Sequence, residues 1–152
     1  MRYNDNSNKT EVHNMLSLIV GVKGTGKTKH LIDLTNKALA ASSGSVVCLE
    51  RGNKLRYDIK HQVRLIDTSE YSINDGQSLY GFVAGILASD HDITHLFIDS
   101  ALKICKDNVE SFDKFLDECG KLVSLREGLD VVMTASIAVE NVTETMKKYI
   151  EK

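Results

Sequence analysis

The chain has 152 residues, 42% of them hydrophobic, and a formal net charge of −2. That length and apolar content suit one domain with a real core, and the charge supplies no global basic field to draw the protein to nucleic acid or an anionic membrane. No apolar run approaches the roughly 18 residues of a membrane helix, no secretory signal is visible at the polar amino end, and the scattered Cys48, Cys105 and Cys119 read as reduced core thiols of a cytoplasmic protein.

Residues 1–14 are rich in Asn, Asp, Ser, Lys and Thr and read as a flexible polar leader ahead of one domain over 15–152. His13 is expected to be exposed, and Met15 is a second conceivable start. Leu16–Val20 is a short apolar strand. It runs into Gly21-Val22-Lys23-Gly24-Thr25-Gly26-Lys27-Thr28, which spells G-x-x-x-x-G-K-T, the Walker A phosphate-binding loop. A helix leaves the loop, with Leu31, Leu34, Ala38 and Leu39 at helical spacing as far as about Ala41. Strand, glycine-rich turn and helix are the context this chemistry needs. Glycines let backbone N–H groups close on a phosphate chain without a Cβ clash, and the helix amino end adds unpaired donors and partial positive charge. Lys27 is expected on the β- and γ-phosphates and Thr28 on Mg²⁺. His30 reads as a solvated helix residue.

Val46–Leu49 is a second buried strand, ending at Glu50. Arg51 to Arg64 then gathers five basic residues with a single acid, a cluster read first as a solvated loop and second as a partner contact. Val63–Ile66 predicts a short strand. Asp67–Gly76 is polar, with Asp75-Gly76 as a turn signal. Leu79–Ala88 predicts a buried helix that packs closely through Gly81, Ala84, Gly85 and Ala88. His95–Ile98 is a strand closed by Asp99, an apolar run ending in an acid in the manner of a Walker B segment. His95, at the far end of that strand, is assigned a structural role. Val109, Phe112, Leu116, Cys119 and Val123 predict a helix from about Asn108 to Glu127, ended by Gly128. Asp130–Ser136 is the last buried strand, with Thr134 or Ser136 emerging at its carboxyl end. Val139, Val142, Met146 and Ile150 predict a short closing helix, with Asn141 and Glu144 as its capping box.

The alternation predicts an α/β fold, a three-layer parallel sheet flanked by helices. With Gly21–Thr28 early and Leu96–Ser100 late, the chain resembles the P-loop NTPase superfamily. The strand between the two motifs points to the RecA-like branch, in which an extra strand separates them, and the chain is similar to small single-domain bacterial P-loop ATP-binding proteins. The resemblance implies ATP and Mg²⁺ as ligands, with Gly21, Val22, Lys23, Gly24, Thr25, Gly26, Lys27 and Thr28 around the phosphates and Thr28 and Asp99 around the metal. Many relatives follow the Walker B acid with a water-activating glutamate. Here Ser100 follows, and the next carboxylate is Asp107. Some RecA-like proteins place the glutamate at the end of the strand after the first helix, which makes Glu50 the candidate general base; its other reading is a strand-end charge paired with Arg51 or a neighbour. Asp99-Ser100-Ala101-Leu102 lacks the D-x-x-G of GTPases, no segment spells their Asn-Lys-x-Asp, no arginine-bearing kinase lid is evident, and the zinc cysteine pairs of thymidine-kinase-like proteins are missing. Two functions follow: a weak ATPase, with Lys27 and Glu50 as its catalytic residues, or a non-hydrolysing nucleotide-binding regulatory or adaptor module. Either leaves room for a protein partner or a homo-oligomer.

Overall fold

Strand and helix alternate because apolar runs bounded by turn residues alternate with stretches of helical periodicity. A computed structural model describes residues 14–150. Of the leader expected over residues 1–14, residues 1–13, His13 included, lie outside them. Five strands, β1 (Met15–Gly21), β2 (Ser45–Glu50), β3 (Arg64–Asp67), β4 (Ile93–Ile98) and β5 (Asp130–Ser136), form one sheet in the order β1-β5-β4-β2-β3. Every pairing is parallel. The helices are α1 (Lys27–Ala41), α2 (Gly76–Ser89), α3 (Ala101–Ile104), α4 (Val109–Ser124) and α5 (Glu144–Lys147).

Period-two alternation sends the strands' side chains to two cores. Val47, Leu49, Leu96 and Ile98 pack with α2, α3 and α4, around Leu79, Val83, Phe112 and Leu116. Val46, Cys48 and Phe97 point to the other face, where α1 and the segment after β2 cover them through Leu31, Ala38, Leu55, Ile59 and Val63. The fold is therefore α/β, a five-stranded parallel sheet with helices on both faces. Because all strands run the same way, the carboxyl ends of β1, β5, β4 and β2 meet along one edge, the place where open sheets of this kind bind ligands. Cys48, Cys105 and Cys119 are buried free thiols. Among the described residues no helix is long and apolar enough to cross a membrane.

Several local expectations change. Asp75-Gly76 is a helix start and not a turn: the Asp75 side chain accepts the Ser78 N–H and forms a capping box that launches α2. Gly81, Gly85 and Ala88 of α2 face solvent, so Leu79, Val83 and Leu87 make the packing instead. The α4 helix stops at Ser124, where the Leu125 and Arg126 N–H groups turn to carbonyls three residues back, those of Leu122 and Val123. The closing helix is broken into a 3₁₀ turn at Val139–Asn141, the single turn of α5, and an isolated bridge from Ile150 to Leu18 of β1. Its cap is the Thr143 side chain, which accepts the Met146 N–H at 3.1 Å, and not an Asn141–Glu144 box.

Candidate functional site

The loop after β1 turns back on itself. Gly24 and Gly26 both sit at φ +87°, a conformation that β-carbon sterics make costly for other residues, and Gly26 is the amino cap of α1, with no side-chain cap of its own. Lys27 Nζ donates to the Val22 carbonyl at 2.8 Å, and the Thr25 hydroxyl donates to the same oxygen at 2.8 Å. The loop's cation is thus held by the loop's own backbone. Burial lowers the Lys27 pKa from the usual lysine value, while the Asp99 carboxylate pulls it the other way.

Asp99 follows the last residue of β4 and is 9% exposed. Its Oδ1 accepts from the Thr28 hydroxyl at 3.1 Å and from the Thr134 hydroxyl at 3.2 Å. The Ser100 hydroxyl donates to Oδ2 at 3.3 Å, and the Ser100 N–H donates to Thr134 Oγ1 at 2.8 Å. Thr28 and Asp99 lie 71 positions apart in the sequence, yet they meet because β4 and β1 flank β5 with their carboxyl ends aligned.

These groups open onto a cavity of about 420 Å³. Lysines 23, 27, 29, 54 and 103 line it, against the carboxylates Asp99 and Asp107. Gly24, Gly26, Thr28, Leu55, Ser100 and Ser136 complete the wall. Lysines outnumber acids, so the cavity suits an anion larger than a single carboxylate. Backbone strain gathers beside it: Ser100 sits at φ 54° and Asp107 at φ 58°, in a region that non-glycine residues seldom adopt and that concentrates at functional sites. Among the described residues no group of three or more His, Cys, Asp or Glu side chains could hold a metal by itself. The Thr28 hydroxyl and Asp99 carboxylate are a pair of hard oxygen ligands, which fits a cation that takes its remaining ligands from phosphate and water.

Glu50 lies at the same edge, at the end of β2, and is 3% exposed. It does not line the cavity. Its two carboxylate oxygens accept the backbone N–H groups of Lys54 and Leu55, each at 3.1 Å. Burial raises its pKa from the usual glutamate value, those two N–H bonds oppose the rise, and the neighbouring carboxylates of Asp99 and Asp67 add to it. Thr134 is turned inward onto Asp99, and Ser136 is the strand-end hydroxyl on the cavity. His30 is exposed and is not part of the wall. His95 stacks on Phe97 with ring centroids 6.0 Å apart and lies 3.9 Å from Asp130; Asp130 opens β5, so the pair sits at the opposite end of the sheet.

Lys54, Lys103 and Asp107 carry no motif, and sequence reasoning did not place them. Lys103 and Asp107 had one signal, their position just after the apolar strand ending in Asp99. Lys54 had none beyond membership of the basic run. No protein-family model matches this chain, and no curated protein matches it in sequence.

Proposed function

We propose that the protein binds ATP–Mg²⁺ on the loop Gly21–Thr28, as a P-loop NTPase of the RecA-like branch, and hydrolyses it slowly. The observation that carries this is the Thr28–Asp99 pair beside a lysine-lined cavity at the carboxyl edge of the sheet. The strand order lends support, since β5 lies between the loop strand and the acid strand.

On this proposal Lys27 leaves the Val22 carbonyl for the β- and γ-phosphates. An ion pair with a polyanion replaces an ammonium–carbonyl bond, and that exchange favours the loaded loop. Loop amides and the amino end of α1 hold the phosphate chain. Thr28 and Asp99 would hold Mg²⁺, which neutralises charge on the phosphates. Ser136, a hydroxyl on the cavity wall, would donate to the terminal phosphate. The work is positioning and electrostatics more than covalent chemistry. The base is adenine by family resemblance alone. Turnover is slow, because the carboxylate at Glu50 has both oxygens on backbone amides. The same observation favours the second reading, a binder without turnover that acts as a regulatory or adaptor module.

Thermal unfolding with ATP, ADP and GTP plus Mg²⁺ tests the binding. Ligand at one hundred times its dissociation constant adds about 2.7 kcal/mol of stability. Lys27→Ala abolishes that gain, and equal stabilisation of the variant would refute the site. Phosphate release no greater than that of Lys27→Ala would leave only the second reading.

A further inference from the structure

The segment 51–63 was legible in the sequence only as a charge cluster, yet it is tied down along its length. The Gly52 N–H donates to Asp67 Oδ1 at 2.7 Å. Asn36 of α1 clamps the segment's far part, donating to the Asp58 carbonyl at 3.0 Å and accepting the Lys60 N–H at 3.1 Å. Leu55, Ile59 and Val63, all under 7% exposed, sink into the core beneath α1. Between the Gly52 tie and the Leu55 anchor, Glu50 takes the N–H groups of Lys54 and Leu55, one on each oxygen. The consequence falls on the neighbouring side chain. Leu55 is buried where the core meets the cavity, and Lys54 stays exposed on the wall of that cavity, which Lys27 and Asp99 also line.

We infer that Glu50 is a positioning residue, a carboxylate latch that shapes the turn after β2 so that Lys54 supplies a further cation, besides Lys27, to the bound polyphosphate. The inference rests on the nucleotide-binding proposal and assigns Glu50 a task other than activating water. A general base has to reach the attacking water within about 3 Å, directly or through one further water. Glu50 instead is buried off the cavity wall, with a backbone N–H of the turn on each oxygen. A buried carboxylate is costly unless its oxygens are bonded, and two backbone N–H groups on successive residues are the arrangement that satisfies it. Lys54 needs no such support to be stable at the surface, but it needs the turn to face the cavity.

The test uses the full chain, with calorimetric titration of ATP–Mg²⁺ and amide hydrogen exchange. Lys54→Ala weakens binding by roughly tenfold, the scale of one charge-assisted contact, without changing the melting temperature of the free protein. Lys54→Arg restores most of that affinity. Glu50→Ala weakens binding to a similar degree, and the double variant is no weaker than either single one, because both remove the same contact. In Glu50→Ala without nucleotide, the Lys54 and Leu55 amides exchange faster than in the wild type. Should Glu50→Ala fail to fold, Glu50→Gln carries the same comparison, since it retains one acceptor. Wild-type affinity in Lys54→Ala overturns the inference. So does a Glu50→Gln protein that binds as tightly as the wild type but has lost its phosphate release, for then the carboxylate acts on water. A wild-type chain that binds no nucleotide overturns the parent proposal and the role of Lys54 with it, and it is told apart from the other failures by the behaviour of the unmutated protein.

Discussion

Asp99 shows how few atoms hold the site together. Two hydroxyls, those of Thr28 and Thr134, converge on its Oδ1. Asp99→Asn keeps an oxygen for them and removes the charge. The free protein should therefore unfold within about 1 kcal/mol of the wild type, the scale of one hydrogen bond, while stabilisation by ATP–Mg²⁺ falls to that seen with ATP and no metal. Melting curves with and without Mg²⁺ check this. Lys27 adds a pH dependence. Burial depresses its pKa in the free protein, and a bound polyphosphate raises it again. In the proposed complex proton uptake would accompany binding only at alkaline pH, where the free ammonium begins to titrate, so ATP affinity should decline as pH rises through the lowered free-state pKa. Titration calorimetry across that range measures the slope; a flat profile in the wild type would remove Lys27 from the phosphates.

Helix α2 was foreseen as an apolar stretch, but its start is set by capping. Asp75 accepts the Ser78 N–H at 2.7 Å, and the Ser78 hydroxyl in turn lies 3.2 Å from the Asp75 N–H. Gly76, the first helical residue, lies against α4, where an added Cβ would come 2.2 Å from the Ser111 carbonyl oxygen. At the far end the Arg126 guanidinium donates to the carbonyls of Leu87 and Asp90, closing the last turn of α2 from beyond α4. Asp75→Ala should cost about 1 kcal/mol at neutral pH, the usual worth of such a cap. The Ser78 bonds hold the Asp75 carboxyl below its ordinary pKa of 3.8. Its contribution is therefore complete above that value and lost as pH falls through the depressed one. The stability gap between wild type and variant should close on acidification, which denaturant unfolding at several pH values would show.

Across the whole molecule, stability and function draw on different parts of the sheet. The core between sheet and α4 is dense with large side chains; Phe112, Phe115, Leu116 and Cys119 are each at most 1% exposed. Phe112→Ala should cost about 3–5 kcal/mol, a large share of the roughly 5–15 kcal/mol that holds a domain of this kind together. Urea unfolding would register that loss, and the proposed ATP–Mg²⁺ site, on the carboxyl edge, should keep its affinity in the fraction that folds. The parallel sheet makes the site possible. It brings together the ends of β1, β4, β5 and β2, from residues scattered between Gly21 and Ser136.

Local chemistry was readable without coordinates. The turn at Gly21–Thr28, the helix behind it, Asp99 at the end of an apolar run and the spacing of Phe112, Leu116, Cys119 and Val123 all follow from period, glycine placement and burial preference, which act over a few residues. The same short range explains what went unseen. Gly81 and Gly85 looked like packing positions, and only the neighbouring helix decides which side of α2 is covered. Val139 to Ile150 carried helical spacing, but pairing of Ile150 with Leu18 on β1 pulls the chain out of a helix. Glu50 ended a strand in the sequence, and the fold of residues 51–63 chose its partners. Lys54, Lys103 and Asp107 reached one cavity through the order of strands. Sequence alone determined the five strands, the long helices and the two motifs, because those depend on neighbours along the chain. Tertiary structure alone decided which charges face one another, because that depends on contacts between residues far apart in sequence.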